Sequence, residues 1–219
     1  GVDHAGTARS AEEAEQVTLL EAAPGVLVAH LSYTYGFNGT DVPADKPWLA
    51  NKIDTERILE DATGARTAGA DFVVVSLHWG LEYQYELTEQ QREVAPAVLA
   101  SPDVDLVIGH HAHVIQPVER IGDEFVAYGL GNFISNQSPE TCGCPIGVED
   151  GVLLEFEVVA DDEGRFTVET VRAHPTWVDR TGGHVVIPTD AGGVDHDADP
   201  DTLTASSRRT RTALGAQVE

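Results

Sequence analysis

The sequence predicts a mixed α/β (α+β) fold in which parallel strands come first and antiparallel hairpins follow. Residues 71–77 (DFVVVSL) and 103–109 (DVDLVIG) are continuous β-type apolar runs, which is typical of strands buried on both faces. A helical segment lies between them, and this strand–helix–strand order implies parallel strands joined by a right-handed crossover. Later in the chain, β-type runs alternate with short turn sequences, which indicates antiparallel hairpins.

The elements before the first buried strand follow from local patterns. Residues 10–16 (SAEEAEQ) predict a short helical turn, and residues 26–34 (VLVAHLSYT) predict a strand. Residues 35–50 are predicted to be a loop because glycines and prolines recur in them. From Asn51 to about Thr67, apolar residues recur near helical spacing, which predicts a helix.

The remaining elements are marked by a helix cap and by turns. Thr88, with Gln91 three positions later, forms a capping box that begins a helix running to about Ala100. Two hairpins are predicted, one from residues 114–121 and 124–130 and the other from residues 151–160 and 165–173. A further strand is predicted at 184–188. An acidic linker at 189–201 and a short closing helix at 201–214 end the chain. We therefore divide the chain into a domain over 1–188 and a linker with a terminal helix over 189–219.

The charge of the chain restricts its partners. The 219 residues include 37 acidic and 13 basic side chains, a formal net charge of −24. Such a surface repels nucleic acids and anionic membranes, so we expect no nucleic-acid partner. No apolar run approaches the roughly 18 residues that would span a bilayer. The chain opens at Gly1 and contains no methionine, so we expect that its natural N-terminus, with any signal peptide or anchor, is missing.

Histidines follow both buried strands. His78 comes directly after the strand at 71–77, and His110, His111 and His113 come after the strand at 103–109. Ligand sites in open α/β sheets form at the carboxyl ends of strands, so these imidazoles are expected to meet at one edge. If residues 111–113 are extended, both of their imidazoles point to the same side. Imidazole is a common ligand of zinc, manganese and iron, so the set predicts a metal site.

Other residues near these histidines have more than one interpretation. Glu82 lies four residues beyond His78 and could orient a ligand, act as an acid or base, or face solvent. Asn132, in the glycine-framed sequence 128–133 (YGLGNF), lines the site or belongs to a structural turn. Cys142 and Cys144 could form a labile disulfide, remain free thiols, or supply half of a metal site.

Several of these motifs together resemble the CapA family of poly-γ-glutamate capsule proteins. The resemblance rests on HWGLEY at 78–83, GHHAHV at 109–114 and GNF at 131–133, in that order, and covers roughly residues 1–190. It implies a calcineurin-like metallophosphoesterase fold, a four-layer αββα sandwich with a two-metal site between the ends of its sheets. In that family pattern His78, His111 and His113 are metal ligands, whereas His110 stands where the superfamily has glycine.

The resemblance also implies a function and its cofactors. It predicts a cell-surface or membrane-anchored protein of poly-γ-glutamate or capsule synthesis, with hydrolysis assisted by two divalent ions (Mn, Fe or Zn). His110 and Glu82 are then the candidate acid–base residues, and Asn132, Trp79 and Tyr83 the candidates on the substrate side. An anionic polymer or a phosphoester is the expected substrate.

The early motifs of the superfamily, which supply further ligands, have no match in residues 1–70. We therefore expect a missing N-terminal segment or a second chain to complete the metal site. Two alternatives stay open: a general metal-dependent phosphodiesterase or phosphatase, and a polymer-binding or assembly subunit with a degenerate site.

Overall fold

The structure, a computed structural model, describes residues 3–190 and 196–219. Nine strands form two sheets within these residues. The larger sheet contains β1 (Thr18–Ala23), β2 (Val26–Thr34), β3 (Phe72–His78), β4 (Leu106–His110), β5 (Val118–Ile121) and β6 (Glu124–Ala127), in the spatial order β1-β2-β3-β4-β6-β5. The smaller sheet contains β7 (Asp150–Ala160), β8 (Phe166–Asp179) and β9 (Val185–Pro188).

The centre of the larger sheet is parallel, as the sequence predicts. Strands β2, β3, β4 and β6 pair in parallel, whereas β1 and β5 pair antiparallel at the two edges. The parallel pairing of β3 and β4 is confirmed, and the helix predicted between them is present. Strand β1 was not predicted because its sequence, TLLEAA, shows no regular alternation of apolar and polar residues. In the structure, four of its six residues are exposed.

Two helices cover one face of the larger sheet. They are α2 (Thr55–Thr67) and α3 (Glu89–Leu99), and α3 has the predicted capping box of Thr88 and Gln91. Helix α2 begins later than predicted because Asp54 caps it by accepting a hydrogen bond from the Arg57 N–H. Apolar side chains of both helices share one core with the sheet. The helices contribute Ile58, Ala62, Val94 and Val98, and the sheet contributes Val73, Leu77 and Val107.

The smaller sheet packs on the opposite face of the larger one. Phe72, Leu106 and Phe125 of the larger sheet share a core with Val152, Val171 and Ala173 of the smaller sheet. Both predicted hairpins are confirmed, although the first is shorter than its sequence pattern. The fold is thus mixed α/β with parallel and then antiparallel strands. Helices α2 and α3 form a helix layer on the larger sheet, and the two sheets pack face to face.

A terminal helix, α5 (Pro200–Leu214), packs on β7 and β8, and the remaining helical segments are short. They are α1 (Ala11–Ala14), α4 (Pro139–Cys142) and the 3₁₀ turns Pro47–Leu49 and Ile146–Glu149. Ser206 and Arg209 of α5 hydrogen-bond the buried Asp150 carboxylate at the start of β7. Residues 191–195 of the predicted acidic linker lie outside the described residues. None of the described helices is long and apolar enough to cross a membrane.

Candidate metal centre

The carboxyl ends of three neighbouring strands form one edge of the larger sheet. Thr34 ends β2, His78 ends β3 and His110 ends β4, and the strand register places these three residues side by side. Residues in register on adjacent strands project from the same face of a sheet. The sequence therefore located the histidines at the ends of the strands, and the register aligns His78 with His110.

The chain turns sharply after β4, so residues 111–113 are not in the extended conformation that would point both imidazoles to the same side. His111 and His113 have positive φ values of 101° and 59°, and residues other than glycine seldom adopt such backbone angles. This bend brings the His111 ring to 4.5 Å from the His78 ring, measured between centroids, and leaves the His113 ring 6.3 Å from His111. A strained backbone of this kind is often found at functional sites.

Burial lowers the pKa values of three imidazoles at this edge, which favours their neutral form. Burial is the main cause that lowers the pKa of His78, and the neighbouring imidazoles lower it further. Burial also lowers the pKa of His111, although the Glu82 carboxylate opposes this shift. His110 is partly accessible to solvent but is closely surrounded by protein atoms. The resulting desolvation is the main cause that lowers the pKa of His110, and the nearby His30 lowers it further. Neutral imidazole is the form that binds metal ions.

Glu82 lies beside the cluster and is about half exposed. Its Oε1 atom is 4.0 Å from His113 Nε2, beyond the distance of a hydrogen bond. The next residue, Tyr83, stacks on His113 with ring centroids 5.9 Å apart. Both side chains therefore lie next to the imidazoles that follow β4.

Trp79 does not face a substrate, so its assignment to the substrate side is corrected. The side chain is fully buried in the core under α2 and α3. Its indole N–H donates a hydrogen bond of 3.0 Å to the Tyr128 carbonyl, which links β3 to the segment after β6. Gly109 leaves the space for this ring, since a Cβ atom there would lie 2.4 Å from Trp79 Nε1. Trp79 is thus a structural support for the strand ends.

Asn132 contacts the cluster directly through His113. Its Oδ1 atom lies 2.7 Å from His113 Nδ1, and its Nδ2 atom reaches the Val148 carbonyl and the Gln137 side chain. The sequence made Asn132 a candidate on the substrate side of the site. In the structure its side chain is hydrogen-bonded to His113. Gln137 was missed because no local pattern distinguishes it in the sequence.

Tyr35 is a second residue of the site that the sequence interpretation missed. It follows the end of β2, and its ring lies 4.7 Å from His111 and 6.0 Å from His78, centroid to centroid. Its backbone N–H donates to the His78 carbonyl. The rule that places ligand sites at strand ends applies to β2 as well, so it would have identified Tyr35.

The donor chemistry of the cluster fits a divalent ion, but the ligand set is incomplete. His78, His111 and His113 bring three imidazole side chains to one sheet edge. Within residues 3–190 and 196–219, no three His, Cys, Asp or Glu side chains are arranged so that they could hold a metal ion. Cys142 and Cys144 are joined by a disulfide, which excludes the free thiols and the half metal site in this structure.

The chain is similar in sequence to capsule proteins of Bacillus. The family model for the bacterial capsule synthesis protein PGA_cap matches residues 1–137. The PGA biosynthesis protein CapA of Bacillus subtilis is 28% identical over 173 residues, which cover 79% of this chain and 43% of that protein. The capsule biosynthesis protein CapA of Bacillus anthracis is 27% identical over 139 residues, covering 62% of this chain and 33% of that protein.

Two solved structures are similar to this chain over most of its length. The calcineurin-like phosphoesterase YfkN from Bacillus subtilis has a TM-score of 0.44 and 13% identity, with 84% of this chain and 51% of that chain covered. The sulfate thiohydrolase SoxB from Thermus thermophilus has a TM-score of 0.46 and 16% identity, with 89% and 28% covered. The present chain spans less than half the length of the Bacillus relatives. By the match over residues 1–137, the chain belongs to the bacterial capsule synthesis protein PGA_cap family.

Proposed function

We propose that this chain is the histidine-bearing part of a cell-surface capsule protein that hydrolyses a bond in poly-γ-glutamate or a related anionic substrate with the help of divalent ions. The observation that carries the proposal is the cluster of His78, His111 and His113 at the carboxyl ends of β3 and β4. The names of the Bacillus relatives support the capsule role. A surface location agrees with that role.

The imidazoles of His78, His111 and His113 would each supply one ligand, and ligands from elsewhere would be needed to hold each ion. When bound, divalent ions of the Mn, Fe or Zn type polarise a phosphoryl or carbonyl oxygen and stabilise the charge that develops on it. The described residues contain no complete ligand set, so we propose that carboxylate or imidazole ligands from a further segment or a second chain complete it. That contribution is the principal partner interaction of the chain.

Proton transfer is assigned to two residues of this chain. His110 is neutral at pH 7, because its pKa is lowered, and lies in register with His78, so it can accept a proton at the same edge. Glu82 is exposed beside His113 and can exchange protons with solvent. Tyr83 and Asn132 border the same space and limit how a substrate approaches.

The test uses the full-length protein, its His78→Ala/His111→Ala variant and the control His174→Ala. His174 is an exposed histidine of β8, on the smaller sheet, so its loss should leave the site intact. We expect bound Mn, Fe or Zn by mass spectrometry, and hydrolysis of poly-γ-glutamate, in the full-length protein and the control. The double variant should lose most of the metal and at least ~100-fold in rate.

The other outcomes separate the alternatives. Turnover of simple phosphodiesters without any action on the polymer would replace the capsule substrate with a general phosphodiesterase role. Polymer binding without metal or hydrolysis, retained in the double variant, would replace the enzyme with a binding or assembly subunit. Detection of the protein only in the cytoplasmic fraction would contradict the surface location.

A further inference from the structure

We propose that Asn132 and Gln137 are positioning residues that hold His113 in a single tautomer, with the proton on Nδ1 and the lone pair on Nε2. Nε2 is the ring nitrogen on the side of Glu82, at 4.0 Å from its Oε1 atom. The inference goes beyond the proposed function, because it concerns the state of the imidazole whether or not an ion is bound. Only its consequence for metal affinity rests on the proposed function.

The orientation of the Asn132 amide is determined by a backbone carbonyl. The Val148 oxygen can only accept a hydrogen bond, so the Asn132 atom 2.9 Å from it must be the Nδ2 donor. The other amide atom, Oδ1, then faces His113 Nδ1 at 2.7 Å. Since Oδ1 can only accept, His113 Nδ1 must carry the proton. This places the unprotonated nitrogen at Nε2.

Gln137 gives the Asn132 amide a second reason to keep this orientation. Its Oε1 atom accepts from Asn132 Nδ2 at 3.1 Å, and its Nε2 atom donates to the Tyr83 hydroxyl at 3.1 Å. Tyr83 in turn stacks on the His113 ring. The four side chains therefore form a closed network that links the segments after β3, β4 and β6.

The network also stabilises a backbone that is otherwise unfavourable. Tyr83 and His113 both have positive φ values, of 66° and 59°. Such conformations are sparsely populated and persist only where surrounding contacts determine them. Tyr83 packs with Ala112 and Val114, and its backbone N–H donates to the Ala112 carbonyl at 2.7 Å. The side-chain network and this backbone contact hold the imidazole in one place.

A free neutral histidine favours the proton on Nε2, so the proposal predicts a reversal that can be measured. Nitrogen-15 NMR of the histidine-labelled full-length protein at neutral pH distinguishes the two tautomers, and His113→Gln assigns the signal. We expect a pyridine-type Nε2 and a pyrrole-type Nδ1 for His113. Asn132→Ala should restore the Nε2–H form or a mixture of the two.

Asn136→Ala is the matched control, because Asn136 Oδ1 lies 3.3 Å from His184 Nε2 and contacts a different histidine. It should leave the His113 signals unchanged. If Asn132→Ala does not fold, the pair Gln137→Ala and Gln137→Glu gives the answer. Gln137→Ala should weaken the tautomer preference, whereas Gln137→Glu should preserve it, because its carboxylate still accepts from Asn132 Nδ2.

An Nε2–H tautomer in the unmodified protein, or no change in Asn132→Ala, would overturn the proposal. Metal affinity, measured by titration calorimetry with Zn²⁺, gives an independent readout and should fall about 10–100-fold in Asn132→Ala. The expected tautomer without any Zn²⁺ binding would refute the metal role and leave the positioning role intact. Zn²⁺ binding with the opposite tautomer would refute the positioning role alone.

Discussion

At the residue scale, the chemistry of the site depends on backbone conformations that residue types do not reveal. The His111 ring lies 4.5 Å from the His78 ring in a turn where His111 and His113 both have positive φ values, which the His-Ala-His spacing does not reveal. Trp79 and Glu82 are both near His78 in sequence, yet one is buried in the core and the other is beside His113. Burial and charge likewise set the ionisation of individual residues, most clearly at Glu124.

Glu124 should make the protein less stable as the pH rises. The pKa of Glu124 is raised to about 7, mainly by burial and secondarily by the carboxylates of Asp105 and Asp123. Its Oε2 atom is buried without a hydrogen-bond partner among the described residues. Because the pKa of Glu124 is higher in the folded state than in the unfolded state, the folded state binds the proton of Glu124 up to a higher pH. Stability is therefore lost as the pH rises from about 4.5 to about 7.

Glu124→Gln should therefore be more stable than the unmodified protein at pH 8, by about 1–2 kcal/mol after allowance for solvent screening. The two proteins should converge below pH 4.5. Urea unfolding at a series of pH values measures the difference. Glu86→Gln, at an exposed side chain, is the control and should leave the pH profile unchanged. Parallel profiles for the unmodified protein and Glu124→Gln would contradict the prediction.

At the scale of elements, local signals predicted most helices and strands but not their contacts. The Thr88 capping box and the apolar pattern of residues 71–77 both lie within a few residues, and both elements formed as predicted. Strand β1 lacks such a signal and is stabilised by pairing with β2. Helix α5 has its own cap at Asp199, but its position depends on a contact with Asp150, 59 residues before Arg209.

That contact predicts a large loss of stability in Arg209→Ala. Arg209 Nε and Nη2 donate to the two Asp150 carboxylate oxygens at 2.7 Å each, and Asp150 is almost fully buried. Removal of the guanidinium leaves a buried carboxylate without its charge partner, which should cost about 3–5 kcal/mol. Thermal and urea unfolding measure this loss.

The neighbouring Arg208 supplies the control for this measurement. It is exposed on the same helix, so Arg208→Ala should change the stability by less than about 0.5 kcal/mol. Equal effects of the two substitutions would mean that α5 contributes through its net charge and not through the Asp150 contact.

At the scale of the whole molecule, net charge determines how the protein meets its proposed substrate. A chain of net charge −24 repels a polyanion at low salt, since charges are screened only over roughly 10 Å at 0.1 M ionic strength. Divalent ions bound at the histidine edge, as proposed above, would provide local positive charge that can bridge the two. Attraction is thus expected at the site and repulsion over the rest of the surface.

The binding of poly-γ-glutamate by the full-length protein should therefore require divalent ions and should strengthen as monovalent salt rises from about 0.02 M to about 0.3 M. Fluorescence anisotropy with labelled polymer measures this dependence. A neutral polymer of equal length is the control and should show no salt dependence. Tightest binding at low salt, in the presence of a chelator, would contradict this account.

The sequence by itself determined the mixed α/β class, the order of the parallel strands and later hairpins, and the position of His78 and His110 at strand ends. These features depend on periodicity, caps and turns, which are properties of a few neighbouring residues. Tertiary structure alone decided the burial of Trp79, the left-handed backbone conformations of His111 and His113, and the hydrogen bond from the Asn132 side chain to the Val148 carbonyl. Each of these depends on the packing of segments that are far apart in the chain, and no local pattern records that packing.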